Sequence, residues 1–246
     1  MAGVIRRKLD RLRSELRRTD LSRLDRAVRI SETALKTMSL WPRVAIGREA
    51  LYELTAPPAV FRGLRDLSVR RATLDDLDGI AAMMPEDPTD PALIRSRFGA
   101  GDAVFVGELD GRLLAHSWFH PGPAPFDEDI QLYGSFAIDD RAWWSYHAAA
   151  VAEARSSGLF IKVFQTALRS LFLDSGATRV LCGVKTTNLA SVAMHERLGF
   201  RRVATLEAML VPGLRWLRWS GPEGARHWVR RRSSPPVLSC PPIAQP

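Results

Sequence analysis

The chain has 246 residues, of which 46% are hydrophobic and 25% charged, the profile of ordinary globular protein. No stretch approaches the roughly 20 apolar residues of a bilayer span, and the basic start, Met1 to Lys8, has no apolar run behind it of the kind a secretory signal needs. The formal charge of +8 is unevenly spread: residues 1–66 carry +7, residues 67–211 carry −4 and residues 212–246 carry +5, which argues against a wholly basic nucleic-acid-binding domain.

Two cysteines, Cys182 and Cys240, are too few for a disulfide framework or a cysteine-based zinc site, and the five histidines form no HExxH pair, so no metal is expected. A cytoplasmic protein fits these features. Residues 4–37 read as amphipathic helix, with Ile5, Leu9, Leu12 and Leu16 on one stripe and arginines elsewhere. Such a basic helix either packs on the main domain or on a second copy of the chain, as in a homodimer, or makes peripheral contact with an anionic membrane or a nucleic acid. Residues 1–66 are accordingly read as a basic helical N-terminal extension, with Pro57-Pro58 to Gly63 as a connection.

From Leu67 to Ala72 the pattern alternates as a strand, and Thr73-Leu74-Asp75-Asp76 then opens a helix with Thr73 as its cap. A second short helix follows over residues 88–98. Ala103 to Leu109 and Leu113 to Phe119 are strands joined at Asp110-Gly111, a hairpin signal. Residues 130–138 and 142–151 read as a second hairpin. A helix over 159–173, a buried strand over 179–184, a helix over 188–198 and a last strand over 201–210 complete the order. The fold class is α+β, a mixed, mostly antiparallel sheet flanked by helices. After it, Trp216, Trp219 and Trp228 alternate with Arg215, Arg218 and Arg226, as a packed flap with cation–π pairs or as a lipid-facing patch. The Pro-rich remainder has too little apolar content to pack.

Two segments carry chemistry. In Ala150-Val151-Ala152-Glu153-Ala154-Arg155-Ser156-Ser157-Gly158-Leu159-Phe160 a strand ends, small residues turn and a helix begins. The N–H groups at such a helix start suit a phosphate, and small side chains let it come close. In Asn188 to Phe200, Asn188 caps a helix and Gly199 stops it, which needs no function to explain it.

Together, in this order and at this separation, the two segments resemble the GNAT superfamily of acyl-CoA-dependent N-acyltransferases. Arg155-Ser156-Ser157-Gly158-Leu159-Phe160 matches the first and fourth positions of the family's Arg/Gln-x-x-Gly-x-Gly/Ala loop, and Asn188, Ser191, His195, Gly199 and Phe200 match its Asn-x-x-Ser/Ala-x-x-x-Tyr/His-x-x-x-Gly-Phe segment. The resemblance spans residues 67–210, and the sequence departs from the pattern at Phe160, where the family has Gly or Ala. It implies that two adjacent strands splay near a bulge and that acetyl-CoA, or another acyl-CoA, lies in the gap. Its pyrophosphate would rest on the N–H groups of Ser156 to Phe160, with Arg155 adding charge and Asn188 also on the coenzyme side, and the backbone of Ala148, Ala149 and Ala150 would face its acyl end. An amine of a small molecule attacks the thioester directly.

His195, where the family often has Tyr, is then the candidate acid. Tyr146 and His147 are the candidate bases, the choice depending on a one-residue bulge, and Glu108 is a third. His116 and His120 are candidates to line the acceptor site, and the aromatic residues Trp118, Phe119, Tyr133, Phe136, Trp143 and Trp144 are core or acceptor wall. Cys182, within an apolar strand, reads as an inert buried thiol. A second reading is a catalytically degenerate protein of the same fold that binds coenzyme or a partner.

Overall fold

The computed structural model describes residues 20–37, 44–60, 63, 66–83, 90–123, 135–155, 158–221, 224–231 and 237–239. Its centre is a sheet of nine strands: β1 (Ala45–Leu54), β2 (Ser68–Arg71), β3 (Ala103–Leu109), β4 (Arg112–Pro121), β6 (Ala142–Ala150), β7 (Arg179–Lys185), β8 (Arg201–Val211), β9 (Leu214–Gly221) and β10 (Gly224–Arg231). They lie in the order β10-β9-β8-β1-β7-β6-β4-β3-β2. Neighbours are antiparallel except β6 and β7, which run parallel. A short strand β5 (Ser135–Ala137) pairs separately, in parallel, with β11 (Val237–Ser239). Among the described residues five α-helices accompany the strands: α1 (Arg23–Thr37), α2 (Leu77–Ala82), α3 (Pro91–Gly99), α4 (Leu159–Leu173) and α5 (Leu189–Arg197).

Each face of the sheet has its own core. Leu77 and Ile80 of α2 and Ile94 of α3 pack with Trp118, Trp144, Leu181 and Leu206 on one side. Val163, Phe164, Leu168 and Leu171 of α4 pack with Phe105, Phe119, Val180 and Phe200 on the other. Gly107 makes the second layer close: a Cβ there would come within 2.4 Å of a Val163 methyl, so α4 lies on bare β3 backbone. The Thr73 cap forms as expected, its hydroxyl accepting from the Asp75 N–H and the Asp76 carboxylate from the Thr73 N–H, although the first turn is 3₁₀.

Several sequence expectations change. Residues 45–54, assigned to the N-terminal extension, form a central strand between β7 and β8, so the boundary at 66 cuts through the sheet. The charges in this strand hid it. Glu49 and Glu53 are buried, and Glu53 meets the equally buried Arg179 at 2.9 Å; Arg48 bridges Asp25 of α1 and Glu207 of β8 at 2.9 and 3.0 Å. Of the predicted N-terminal helix, α1 covers 23–37, and residues 4–19 lie outside the described residues.

Among the described residues the second hairpin is not seen: Ser135–Ala137 pairs with β11 rather than with β6. Residues 130–134, with Tyr133, lie outside the described residues. In β11, Leu238 is buried in the core on the α2 and α3 side, packing that the tail's composition as a whole did not suggest. The Trp/Arg alternation is strand periodicity: β9 and β10 form an antiparallel hairpin on the edge of the main sheet, with Arg215, Leu217 and Trp219 buried in alternation.

Candidate active site

The parallel ladder between β6 and β7 runs only from Ala142–Arg179 to Ser145–Cys182; beyond it the described strands part. The cause lies in β6. His116 of β4 pairs with Ala149 and Trp118 with Tyr146, so Ser117 alone faces both His147 and Ala148. This is a β-bulge, with His147 at φ 42°, a left-handed conformation uncommon for a residue with a side chain.

The bulge decides which way the two candidate bases face. His116 and Trp118, two apart, share one face of β4. His147 stacks on His116 with ring centroids 5.4 Å apart, and the Tyr146 ring lies 6.3 Å from Trp118. Tyr146 and His147 therefore face the same side, whereas simple alternation sends them to opposite sides.

Where the strands part, a cleft of about 650 Å³ opens. Tyr146 to Ala150 form one wall; Arg155, Gly158 and Phe160 close one end; Asn188, Ser191 and His195 of the α5 segment form the opposite side. Three cations, Arg155, Lys185 and Arg197, line it, and among its described lining residues there is no Asp or Glu. That donor set fits a polyanion. Lys185 also meets Glu32 of α1 at 3.3 Å, which ties the N-terminal helix to the rim of the cleft.

Gly158 sits at φ 77° immediately before α4, a conformation glycine adopts without strain. Among the described residues, the Lys162 N–H bonds the Gly158 carbonyl at the start of α4, and the N–H groups of a helix's first turn precede its intrahelical ladder. The Leu159 side chain turns into the core instead of the cleft. Phe160 stacks on Phe164 at 5.7 Å and reaches the cleft. Arg155 donates from Nε to the Ala150 carbonyl at 3.0 Å, which closes the turn. Ser156 and Ser157 lie outside the described residues.

Asn188 caps α5 by accepting the Ser191 N–H at 3.2 Å, and the Phe200 N–H returns to the His195 carbonyl beyond Gly199, at φ 93°. His195 is buried between Phe164, Phe200 and Tyr52. Its Nδ1 lies 2.7 Å from the Ser191 carbonyl. A carbonyl only accepts, so Nδ1 carries the hydrogen and Nε2 the lone pair of the neutral ring. Burial holds the His195 pKa below its usual value, partly opposed by that bond. Burial also pushes Tyr52 up to about 12, helped by its 3.1 Å bond to Glu196.

The remaining candidates separate. Glu108 pairs with Arg70 at 3.1 Å on the outer strands and does not line the cleft. His116 is fully buried, held down to about 3 by desolvation and, less, by His147 and Arg97. His120 bonds through Nδ1 to Asp102, whose other oxygen takes the Tyr146 hydroxyl. Cys182 is buried and lies on the cleft floor. Asp102, Lys185 and Arg197 escaped the sequence reading; Lys185, one of only four lysines, carried the only signal among them. Among the described residues no group of His, Cys, Asp and Glu is arranged to hold a metal, and no helix is long and apolar enough to cross a membrane.

No protein-family model matches the chain. An N-alpha-acetyltransferase from Saccharolobus solfataricus is 23% identical over 153 residues, 61% of this chain and 89% of that protein. A GCN5-related N-acetyltransferase from Kribbella flavida superposes with a TM-score of 0.50 and 18% identity, covering 73% of this chain and 64% of that one. A GNAT-family acetyltransferase from Novosphingobium aromaticivorans gives a TM-score of 0.49 and 16% identity, covering 68% and 66%. The chain thus spans just under two thirds of the length of these two solved structures. With its bulged β6, its parting from β7 and this structural likeness, the chain has the GNAT acetyltransferase fold.

Proposed function

We propose that the protein is an N-acetyltransferase that moves an acetyl group, or another short acyl group, from acyl-CoA to a primary amine. The observation that carries this reading is the cleft at the parting of β6 and β7, walled by three cations and the start of α4 and free of acidic lining among the described residues. Bound acyl-CoA would supply an activated thioester carbonyl. Arg155, Gly158 and the first N–H groups of α4 would hold its phosphates, and Lys185 and Arg197 add positive charge along the same wall.

The backbone of Ala148 to Ala150, beyond the end of the β7 ladder, is available to polarise the acyl carbonyl. The amine attacks directly, so positioning does most of the work. The departing thiolate takes its proton from the nitrogen of the tetrahedral intermediate, through a water that the His195 Nε2 lone pair orients, so an N–H bond breaks as the S–H bond forms and no imidazolium is needed. The acceptor side lies over Tyr146 and His147. The name of the archaeal relative adds peptide α-amines to the small amines worth testing.

Calorimetry with acetyl-CoA should give saturable binding, and purified protein should release CoA with at least one amine from a panel of amino acids, polyamines and short peptides. No binding would sink the proposal. His195→Ala is expected to lower kcat by about tenfold to a hundredfold, within the span of a single proton-transfer group, with a smaller change in the KM for acetyl-CoA. The absence of a lining carboxylate among the described residues favours one alternative, a coenzyme-binding protein without turnover. Tight acetyl-CoA binding with no CoA release from any amine would select it.

A further inference from the structure

Asp102, at the foot of β3, has a side chain wholly shielded from solvent, yet neither of its oxygens is idle. The Tyr146 hydroxyl of β6 donates to Oδ2, and His120 Nδ1 of β4 meets Oδ1. An ionised carboxylate only accepts, so the hydrogens sit on the phenol and on Nδ1. These groups are 44 and 18 residues from Asp102 along the chain and are assembled only by the sheet. Burying a carboxylate is expensive unless it is well bonded, and an apolar trio would fill the same space among Trp118 and Trp144 without that cost.

Tyr146 lines the cleft immediately before the bulge. No carboxylate lines the cleft among the described residues; Tyr146 lines it as a residue, and its hydroxyl bonds the Asp102 carboxylate behind it. Other charged or titratable groups face the trio from each neighbouring element. The Arg97 guanidinium of α3 lies 5.1 Å from the Tyr146 ring and 5.3 Å from Trp118. His116 of β4 and His147 of β6 stack on each other along the same face.

We propose that Asp102 receives, through the Tyr146 hydroxyl, the proton that the acceptor ammonium must lose before it can attack. The inference rests on the acetyltransferase reading. An N–H bond of the ammonium breaks and its proton bonds to the Tyr146 oxygen. The original Tyr146 O–H bond breaks at the same time, and that proton passes to Asp102 Oδ2. The nitrogen keeps its electron pair, the phenol is restored, and Asp102 ends as a neutral acid still accepting from His120 at Oδ1. Tyr146 is the residue that touches the amine; Asp102 acts through it, and His120 keeps the carboxylate aimed.

The test uses the full chain, acetyl-CoA and the amine it acetylates best, together with fluorinated analogues of that amine of graded, lower basicity. Asp102→Asn and Tyr146→Phe should each lower kcat about 100-fold for an amine that arrives as ammonium. Acetyl-CoA affinity, read by calorimetry, should stay within about twofold of the wild type, since such a group acts on proton transfer and not on coenzyme binding. The loss should shrink along the series and nearly vanish for an analogue already neutral at the assay pH. A merely structural Asp102 would penalise every analogue alike, and that result overturns the proposal.

Proton NMR provides a readout independent of turnover. The bonded Tyr146 hydroxyl should give a downfield resonance that Tyr146→Phe removes and Asp102→Asn shifts; its absence from the wild type overturns the relay. A wild type that releases no CoA with any amine overturns the acetyltransferase reading and the relay together. Wild-type turnover with an undiminished Asp102→Asn overturns the relay alone.

Discussion

The two faces of the sheet meet at the gap between β6 and β7, but they place their polar groups by different means. On the α4 and α5 face, polar groups sit at helix starts and ends: Gly158 opens α4, Asn188 caps α5, and His195 bonds back one turn to Ser191. On the α2 and α3 face they come from separate strands and their ends, Asp102 from just before β3, His116 and His120 from β4, Tyr146 and His147 from β6. A site built on helix ends needs only local sequence to form, and one built across strands needs the register of the whole sheet. The first face suits a ligand common to a fold, the second a function particular to one chain.

The largest expected effect breaks the first face alone. Gly158→Glu forces a side chain into a left-handed position, at a cost of about 1–2 kcal/mol, and sets a carboxylate beside the phosphates that the proposed function places there. Like charges across an interface cost several kcal/mol, so acetyl-CoA affinity should fall about 1000-fold by calorimetry. The Tyr146–Asp102 bond, on the other face, should survive. A variant that keeps its affinity would show that α4 does not carry the phosphates.

A second measurement probes the other face through pH. Burial holds His116 at about 3 against an ordinary 6.5, with His147 and Arg97 acting the same way and a bond to the His147 backbone opposing them. Between those values the unfolded chain binds the proton and the folded chain does not, so this group's contribution to stability falls as pH falls from 6.5. At one unit per 1.36 kcal/mol, the fall from pH 6.5 to pH 5 amounts to about 2 kcal/mol. His116→Gln, which cannot take up a proton, should show a shallower acid limb in thermal melts over that range. Equal slopes for the two proteins would mean that His116 is not the group responsible.

The difference between the faces also explains what the sequence disclosed. The Asn188–Phe200 segment and the Gly158 turn were legible because capping and glycine stops are written in adjacent residues. The Asp110-Gly111 hairpin was legible for the same reason, joining β3 to β4 as expected. Strand β1 was not: its apolar run is broken by Arg48, Glu49 and Glu53, whose partners Glu207 and Arg179 lie far along the chain. Nor could Asp102 be singled out, since nothing near it in sequence tells a buried carboxylate from the turn residue that follows Gly101. The bulge was foreseen as an alternative, but its consequence, Tyr146 and His147 on one side, depends on how β4 pairs with β6.

The smallest expected effect lies at the far edge of the sheet, and it sharpens the claim that function is confined to the gap. Arg70 of β2 holds Asp76 through two bonds, of 2.8 and 2.6 Å, and Glu108 at 3.1 Å. Its hydrogen bonds, foremost, keep the Asp76 carboxyl below its ordinary value against the opposing effect of burial. Yet Arg70 is 41% exposed, so solvent screens the pair, and such pairs contribute at most about 1 kcal/mol. Because a lowered carboxylate stabilises the fold above its unfolded pKa, near 3.8, the contribution is present at neutral pH and lost in acid. Arg70→Ala should therefore lower Tm by about 2–4 °C at pH 7 and by less at pH 3. Two strands, β3 and β4, separate β2 from the parting strand β6, so acetyl-CoA affinity should not move. A loss of affinity in Arg70→Ala would mean that the sheet transmits strain from its edge to the cleft, and that the division between the two faces is less complete than their construction implies.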